Sequence, residues 1–287
     1  MKSLKSIIKI ITAMIIWGSI GLFVKNISLP SIEIAFLRAI IASFYLIVVK
    51  ILFFKDKSKK IHKNSKMDLI LLIISGVIIA FNWLFLFQSY KYTSLANATL
   101  TYYTAPVFVV LLSPIVLKEK LSSKKIITVI IAMIGLILII SGGNSSSNVN
   151  NNNLLGFIYG MSAAILYASV ILINKKIINF SGFDRTLIQL LVSGLALLPI
   201  VLYRNAIHIS NHTSLIFILI LGIVHTGIAY FLYFSSIEHV SVQKASLLSY
   251  FDPISAVIFG TVFLSEPLGF IQIIGGCLIL FSTLIKD

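Results

Sequence analysis

The chain has 287 residues, 58% of them hydrophobic and 11% charged, with a mean hydropathy of +1.03. Soluble domains carry about 25% charged residues, so a water-soluble globule is excluded: the chain has too little polar surface to coat one. The formal net charge of +14 suggests nucleic acid at first sight. Its Lys residues sit between apolar runs, however, where they orient spans and meet anionic headgroups, so no nucleic-acid partner is expected.

The amino terminus reads MKSLKSIIKIITAMIIWGSIGLFVK, a basic stretch followed by an apolar run. The run is longer than the h-region of a signal peptide and lacks an A-x-A-like cleavage site, so it is read as a retained first span. Ten apolar runs follow one another, with cores near 7–24, 32–54, 69–90, 95–117, 125–141, 154–174, 184–203, 214–236, 243–264 and 269–285. Each approaches the roughly 20 residues that a helix needs to cross a bilayer. Most connections are short. The longer ones are the basic loop Lys55–Met67 and the uncharged Asn/Ser/Gly tract Gly142–Asn153, which reads as a flexible linker. The chain is accordingly expected to be all-α and integral to the membrane, with one five-helix unit at 1–145 and another at 146–287.

With the amino terminus in the cytoplasm, 19 of the 23 Lys and Arg residues fall on the cytoplasmic side, most densely between Lys50 and Lys66. Lys25, Lys91 and Arg204 make 3 on the outer side, and Arg38 lies within a span. This positive-inside split places both termini in the cytoplasm of a multi-pass plasma-membrane protein. The one Cys, Cys277, lies in an apolar run and reads as a small buried hydrophobe.

Two stretches match in register. Ala98–Leu121 reads ATLTYYTAPVFVVLLSPIVLKEKL, and Ala245–Leu268 reads ASLLSYFDPISAVIFGTVFLSEPL. An offset of 147 superimposes Tyr103 on Tyr250, Pro106 on Pro253 and Glu119 on Glu266. Apolar helices share Leu and Val by chance far more readily than a Pro followed thirteen positions later by a Glu. The chain therefore reads as a duplication. Five helices per copy is an odd number, so the copies insert upside down relative to each other. Such an inverted repeat places a binding site near the midplane, between the halves.

These residues resemble the EamA family of the drug/metabolite transporter superfamily. The resemblance is carried by Trp17-Gly18, Arg38, the run Ala105 to Val109, Glu119-Lys120-Leu121, Phe251-Asp252-Pro253, Ser265-Glu266-Pro267-Leu268, Gln272 and Gly275. It implies ten transmembrane helices in two inverted five-helix repeats and export of small metabolites such as amino acids, amines and nucleobase- or sugar-like compounds. The second half departs from the pattern, with Tyr167-Ala168-Ser169 where Trp17-Gly18 is expected. Asp252 also stands where the first half has Ala105, so any site is asymmetric.

Asp252 is the sharpest candidate. A carboxylate within a span faces the protein interior or water, where it holds a substrate ammonium, carries a proton, or bonds amides loosened by Pro253. Pro106 and Pro253 are expected to loosen their spans, as hinges, as cavity-shaping elements or as packing kinks. Asn82 and His225 are mid-span polar residues that point inward, to substrate, to a proton relay or to an interhelical hydrogen bond. Trp17, Tyr102, Tyr103, Tyr167, Tyr230 and Tyr250 form an aromatic set; with Asp252 they suit an ammonium-bearing substrate through cation–π attraction. Arg38 is read first as snorkelling or paired with Glu33, and second as a ligand for a substrate carboxylate. Glu119 and Glu266 are read as structural groups at helix ends.

No Gly-rich phosphate loop carries Lys and Ser/Thr, and His62, His208, His212 and His239 lack metal-ligand spacing, so no cofactor or metal is expected. The leading expectation is a secondary transporter of a small polar metabolite, an amino acid or related amine. Its partners are the small-molecule substrate, the lipid bilayer and a proton as candidate coupling ion, and nothing in the sequence requires more than one copy. The alternative is an integral-membrane enzyme acting on lipid or headgroup, which needs carboxylates or His gathered near one interface.

Overall fold

A computed structural model describes residues 2–24, 26–53, 65–92, 98, 101–118, 122–141, 153–205, 207, 209, 211–237, 239–264 and 269–284. Residues 55–64 of the basic loop, almost all of the Gly142–Asn153 linker with the 145/146 boundary, and Glu119 and Glu266 lie outside them. Ten helical spans are present among the described residues. They are α1 (Lys2–Gly18, continued by Ile20–Val24), α2 (Ser31–Phe53), α3 (Ser65–Tyr92), α4 (Ala105–Leu117), α5 (Ser123–Ser141), α6 (Asn153–Lys176), α7 (Gly182–Arg204), α8 (His212–Ile237), α9 (Val242–Leu248 and Phe251–Leu264) and α10 (Phe270–Leu284). Seven are long and apolar enough to cross a bilayer on their own; Ala105–Leu117 and Phe270–Ser282 are shorter apolar helices. Helices suit lipid because each satisfies its own backbone hydrogen bonds. Their polar ends are closed locally: Ser181, Asn211 and Ser241 each accept the N–H three residues on, at Asp184, Ser214 and Lys244.

The packing repeats under exchange of the halves. Helix α1 packs on α8 and α9, and its counterpart α6 packs on α3 and α4; α3 packs on α7 as α8 packs on α2. Helices α2 and α7, α4 and α9, and α5 and α10 pair with their own counterparts. The α2–α7 pair runs antiparallel. Glu33 at the start of α2 meets Arg204 at the end of α7 at 2.7 Å, and Lys50 near the end of α2 meets Asp184 at the start of α7 at 2.7 Å. Counterparts that run in opposite directions make this an inverted repeat. Several contacts fall on the symmetry relation itself: Trp83 donates to Tyr230, and Tyr250 donates to the carbonyl of Tyr103, each across 147 positions.

Cys277, read as a buried hydrophobe, is exposed on α10, and two features of the helices also depart from the sequence reading. First, the prolines do not kink continuous helices. Each span breaks just before its proline, at Tyr103–Thr104 and at Ser249–Tyr250, where tight turns take over, including Thr104 N–H to Thr101 O at 3.2 Å and Tyr250 N–H to Leu247 O at 3.2 Å. Pro106 and Pro253 stand in the first turn of the next helical segment, where a missing N–H costs nothing. Second, α8 is not regular. Leu221–Ile228 forms a π-helix, which inserts one residue relative to the matching stretch of α3. The register shows it: Gly76 and Gly222 occupy equivalent sites 146 apart, against Val192 and Ile41 respectively, whereas Trp83 and Tyr230, beyond the π turn, are 147 apart.

Helices α5 and α10 cross at Gly135 and Gly275. A Cβ at Gly135 stands 2.6 Å from the Gly275 carbonyl, and one at Gly275 stands 2.5 Å from the Gly135 carbonyl. Small residues let membrane helices approach this closely. Gly276, next in sequence, has open space. Gly275→Val is expected to lower stability by about 1–3 kcal/mol through overpacking, and Gly276→Ala to leave it nearly unchanged, as read from thermal unfolding of the detergent-solubilised protein.

Candidate functional site

The site is built on α1. Gly18 lies against the start of the second segment of α9: a Cβ there meets the Ser255 hydroxyl, the Asp252 carbonyl at 2.7 Å and the Ala256 nitrogen at 2.9 Å. Only glycine permits this approach, and it carries Trp17 toward the centre. The Trp17 indole donates to the His225 carbonyl at 2.8 Å and sits edge-on to Tyr230, ring centroids 4.9 Å apart. Tyr230 accepts from the Trp83 indole at 3.2 Å, and the Arg38 guanidinium lies 5.1 Å from the centroid of Trp83. Just ahead of α4, Tyr102 lies 5.7 Å from Tyr103 and 5.7 Å from Tyr167 on α6, between ring centroids. Asp252, at the start of the second segment of α9, completes the group.

These groups surround a cavity of about 620 Å³, within the range of small-molecule sites. Of the residues singled out from sequence, Trp17, Tyr102, Tyr103, Tyr167, Tyr230, Asp252 and Pro106 line it, and so does Arg38. Asn82, His225, Tyr250 and Pro253 are not on its wall. Asn82 donates to the Ala163 carbonyl of α6 at 2.7 Å and serves as an interhelical clasp. His225 is held by Ser19, 2.9 Å from Nε2, and stacks edge-on to Phe23 at 4.9 Å. Tyr250 is buried between α4, α5 and α10. Arg38 departs from its first reading: it neither snorkels nor pairs with Glu33, which binds Arg204 instead. Its Nε donates to Thr226 Oγ1 at 3.0 Å.

Sequence reasoning passed over Trp83 as an Arg38 platform, Thr226, and the role of Gly18. The usable signal was Arg38 itself. A charge at the centre of a span costs roughly 2.5–3.5 kcal/mol on insertion scales and marks function by default. Among the described residues no group of three His, Cys, Asp or Glu is placed to hold a metal.

The cavity wall runs from Met14 and Ser249 in the middle of the bundle to Val24 and Ser31, beside the α1–α2 connection. The opposite end is tied shut. Asp68 Oδ2 accepts from the backbone of Ile178 and Asn179 and from Asn179 Nδ2, at 2.8–3.1 Å. Lys175 donates to the carbonyls of Ile237 and Val240 at 2.9 and 2.8 Å. Gln243 on α9 donates to Ser113 on α4 at 2.7 Å.

A family model described as the EamA-like transporter family matches residues 4–141 and again 154–285. An uncharacterized transporter, YxxF, of Bacillus subtilis is 33% identical over 277 residues, covering 94% of this chain and 88% of that one. The riboflavin transporter ImpX of Fusobacterium nucleatum is 25% identical over 294 residues, covering 98% and 97%. One crystal structure superimposes with a TM-score of 0.82 at 16% identity, covering 97% of this chain and 94% of the other, which shows the shared fold.

Because Asn82 serves α3–α6 packing rather than the cavity, Asn82→Ala is expected to cost about 0.6 kcal/mol, and at most about 1.7, the range for interhelical hydrogen bonds in membranes. Thermal unfolding reads that loss; ligand affinity measured on the same sample is expected to stay within twofold of wild type.

Proposed function

The chain belongs to the EamA-like transporter family, and on that premise we propose that it is a secondary active transporter which exports or exchanges an amino acid or related amine by alternating access. The single observation that carries this reading is the aromatic cavity between the repeats, lined by Asp252 and closed at one end. Asp252 supplies the negative charge for an ammonium group, and Trp17, Tyr102, Tyr103 and Tyr167 offer faces for cation–π contact. The distribution of Lys and Arg puts the tied end and both termini in the cytoplasm of the plasma membrane, which makes the state described here open to the outside.

Access then alternates by rocking one repeat against the other. Opening the cytoplasmic end requires the bonds of Asp68, Lys175 and Gln243 to break. Closing the outer end brings the α1–α2 connection toward α4 and α9. The helix breaks before Pro106 and Pro253 are the points at which α4 and α9 bend. No chemical step is assigned to the protein, a single copy suffices, and the driving force is a substrate gradient or the proton motive force.

Flux into proteoliposomes tests this reading, with a panel of amino acids and amines, with and without a pH gradient. Riboflavin belongs in the panel because the Fusobacterium relative carries that substrate in its name. Transport of riboflavin with no flux of any amino acid or amine overturns the substrate assignment. For an active amine-bearing substrate, Asp252→Asn is expected to weaken binding about 10- to 100-fold, the range for loss of a charge-assisted hydrogen bond, while expression and unfolding temperature hold. Full activity of that variant removes Asp252 from the site.

A further inference from the structure

We propose that Arg38 is the carboxylate-binding residue of the cavity, so that the site selects cargo carrying a carboxylate as well as an ammonium group. This rests on the transporter reading above and deepens it. Arg38 is 5% exposed and lines the cavity. Such a charge is tolerated in a membrane protein when it meets an opposite charge or a functional ligand. Among the described residues it meets no carboxylate: its partners are Thr226 through Nε and the face of Trp83.

Those two partners orient the guanidinium. Thr226 donates its own hydroxyl proton to the Leu221 carbonyl at 2.7 Å, five residues back. That spacing belongs to the π turn, and π turns concentrate at functional sites. With its proton engaged, the Thr226 oxygen accepts from Arg38 Nε. Trp83 supports the guanidinium from one side and is itself fixed by its bond to Tyr230. Among the described residues neither Nη group has a hydrogen-bond acceptor, and two such N–H groups match the two oxygens of a carboxylate.

The repeat supplies an independent comparison. Glu33 and Asp184 begin α2 and α7 and make equivalent ion pairs, and the same register sets Arg38 opposite Gln189. Gln189 is fully buried and donates to Ser75 Oγ at 2.5 Å. The fold therefore accepts a neutral side chain at this position. The positive charge is specific to the half whose copy faces the cavity, where Asp252 supplies the complementary charge from α9.

The test uses the full chain in lipid nanodiscs. Its two tryptophans, Trp17 and Trp83, both line the cavity, so intrinsic fluorescence reads occupancy there. The probes are L-leucine, leucinamide, isopentylamine and 4-methylpentanoate. Wild type is expected to bind leucine at least tenfold more tightly than leucinamide or isopentylamine. Arg38→Gln is expected to erase that preference while leaving isopentylamine affinity within twofold, which also shows that the variant is folded. Thr226→Val, which keeps the charge but frees it, is expected to reduce the preference about threefold. Equal binding of leucine and isopentylamine by wild type overturns the assignment of Arg38 and leaves the amine reading standing. Binding of 4-methylpentanoate alone, lost in Arg38→Gln, overturns the amine reading and keeps Arg38. No response to any probe overturns both.

Discussion

A charge or an amide inside a bilayer has no water to turn to, and this constraint sorts the polar residues of the bundle. Each must find a protein partner or line the cavity. Asn82, Gln189 and Gln243 spend their donors on neighbouring helices. Glu33 and Asp184, near helix ends, pair with Arg204 and Lys50. Arg38 and Asp252 have no ion-pair partner among the described residues, and both line the same space. The charges left over after the helices have been joined are those on the cavity wall.

The inverted repeat builds the frame, and its imperfections build the site. Contacts such as Trp83 with Tyr230 and Tyr103 with Tyr250 join equivalent residues of the two halves, and Gly135 meets Gly275 where the counterparts α5 and α10 cross. They hold the halves together in an arrangement that treats both alike. The charge pattern does not: Arg38 answers Gln189, Asp252 answers Ala105, and a π turn in α8 has no counterpart in α3. That turn adds one residue and carries Thr226 to Arg38. A cargo bound in such a space meets a fixed polarity although the helices around it are related by symmetry.

The two ends of the cavity differ in bonding rather than in fold. One end is held by backbone-directed bonds from Asp68 and Lys175 across α3, α6 and α8. At the other, α2 stays joined to α7 through Glu33 and Arg204, and Ser28 to Ser214 at 3.3 Å, while the cavity wall extends to Val24 and Ser31. On the alternating-access proposal, exchanging which end is tied requires making and breaking a few hydrogen bonds, each modest in net worth.

Much of this architecture is legible in the sequence. Long apolar runs separated by Lys and Arg determine the spans, the matched Tyr, Pro and Glu positions reveal the duplication, and an odd helix count per copy makes it inverted. Which side of each helix faces the cavity is not legible. Lipid is as apolar as the protein interior, so these helices carry no clear polar stripe from which a facing side is read. Asn82, His225 and Arg38 look alike as isolated polar residues in greasy helices, and only packing separates the clasp from the cavity wall. The π turn in α8 and the helix breaks before Pro106 and Pro253 were likewise decided by the tertiary structure, because each depends on what the neighbouring helix offers to the backbone groups set free.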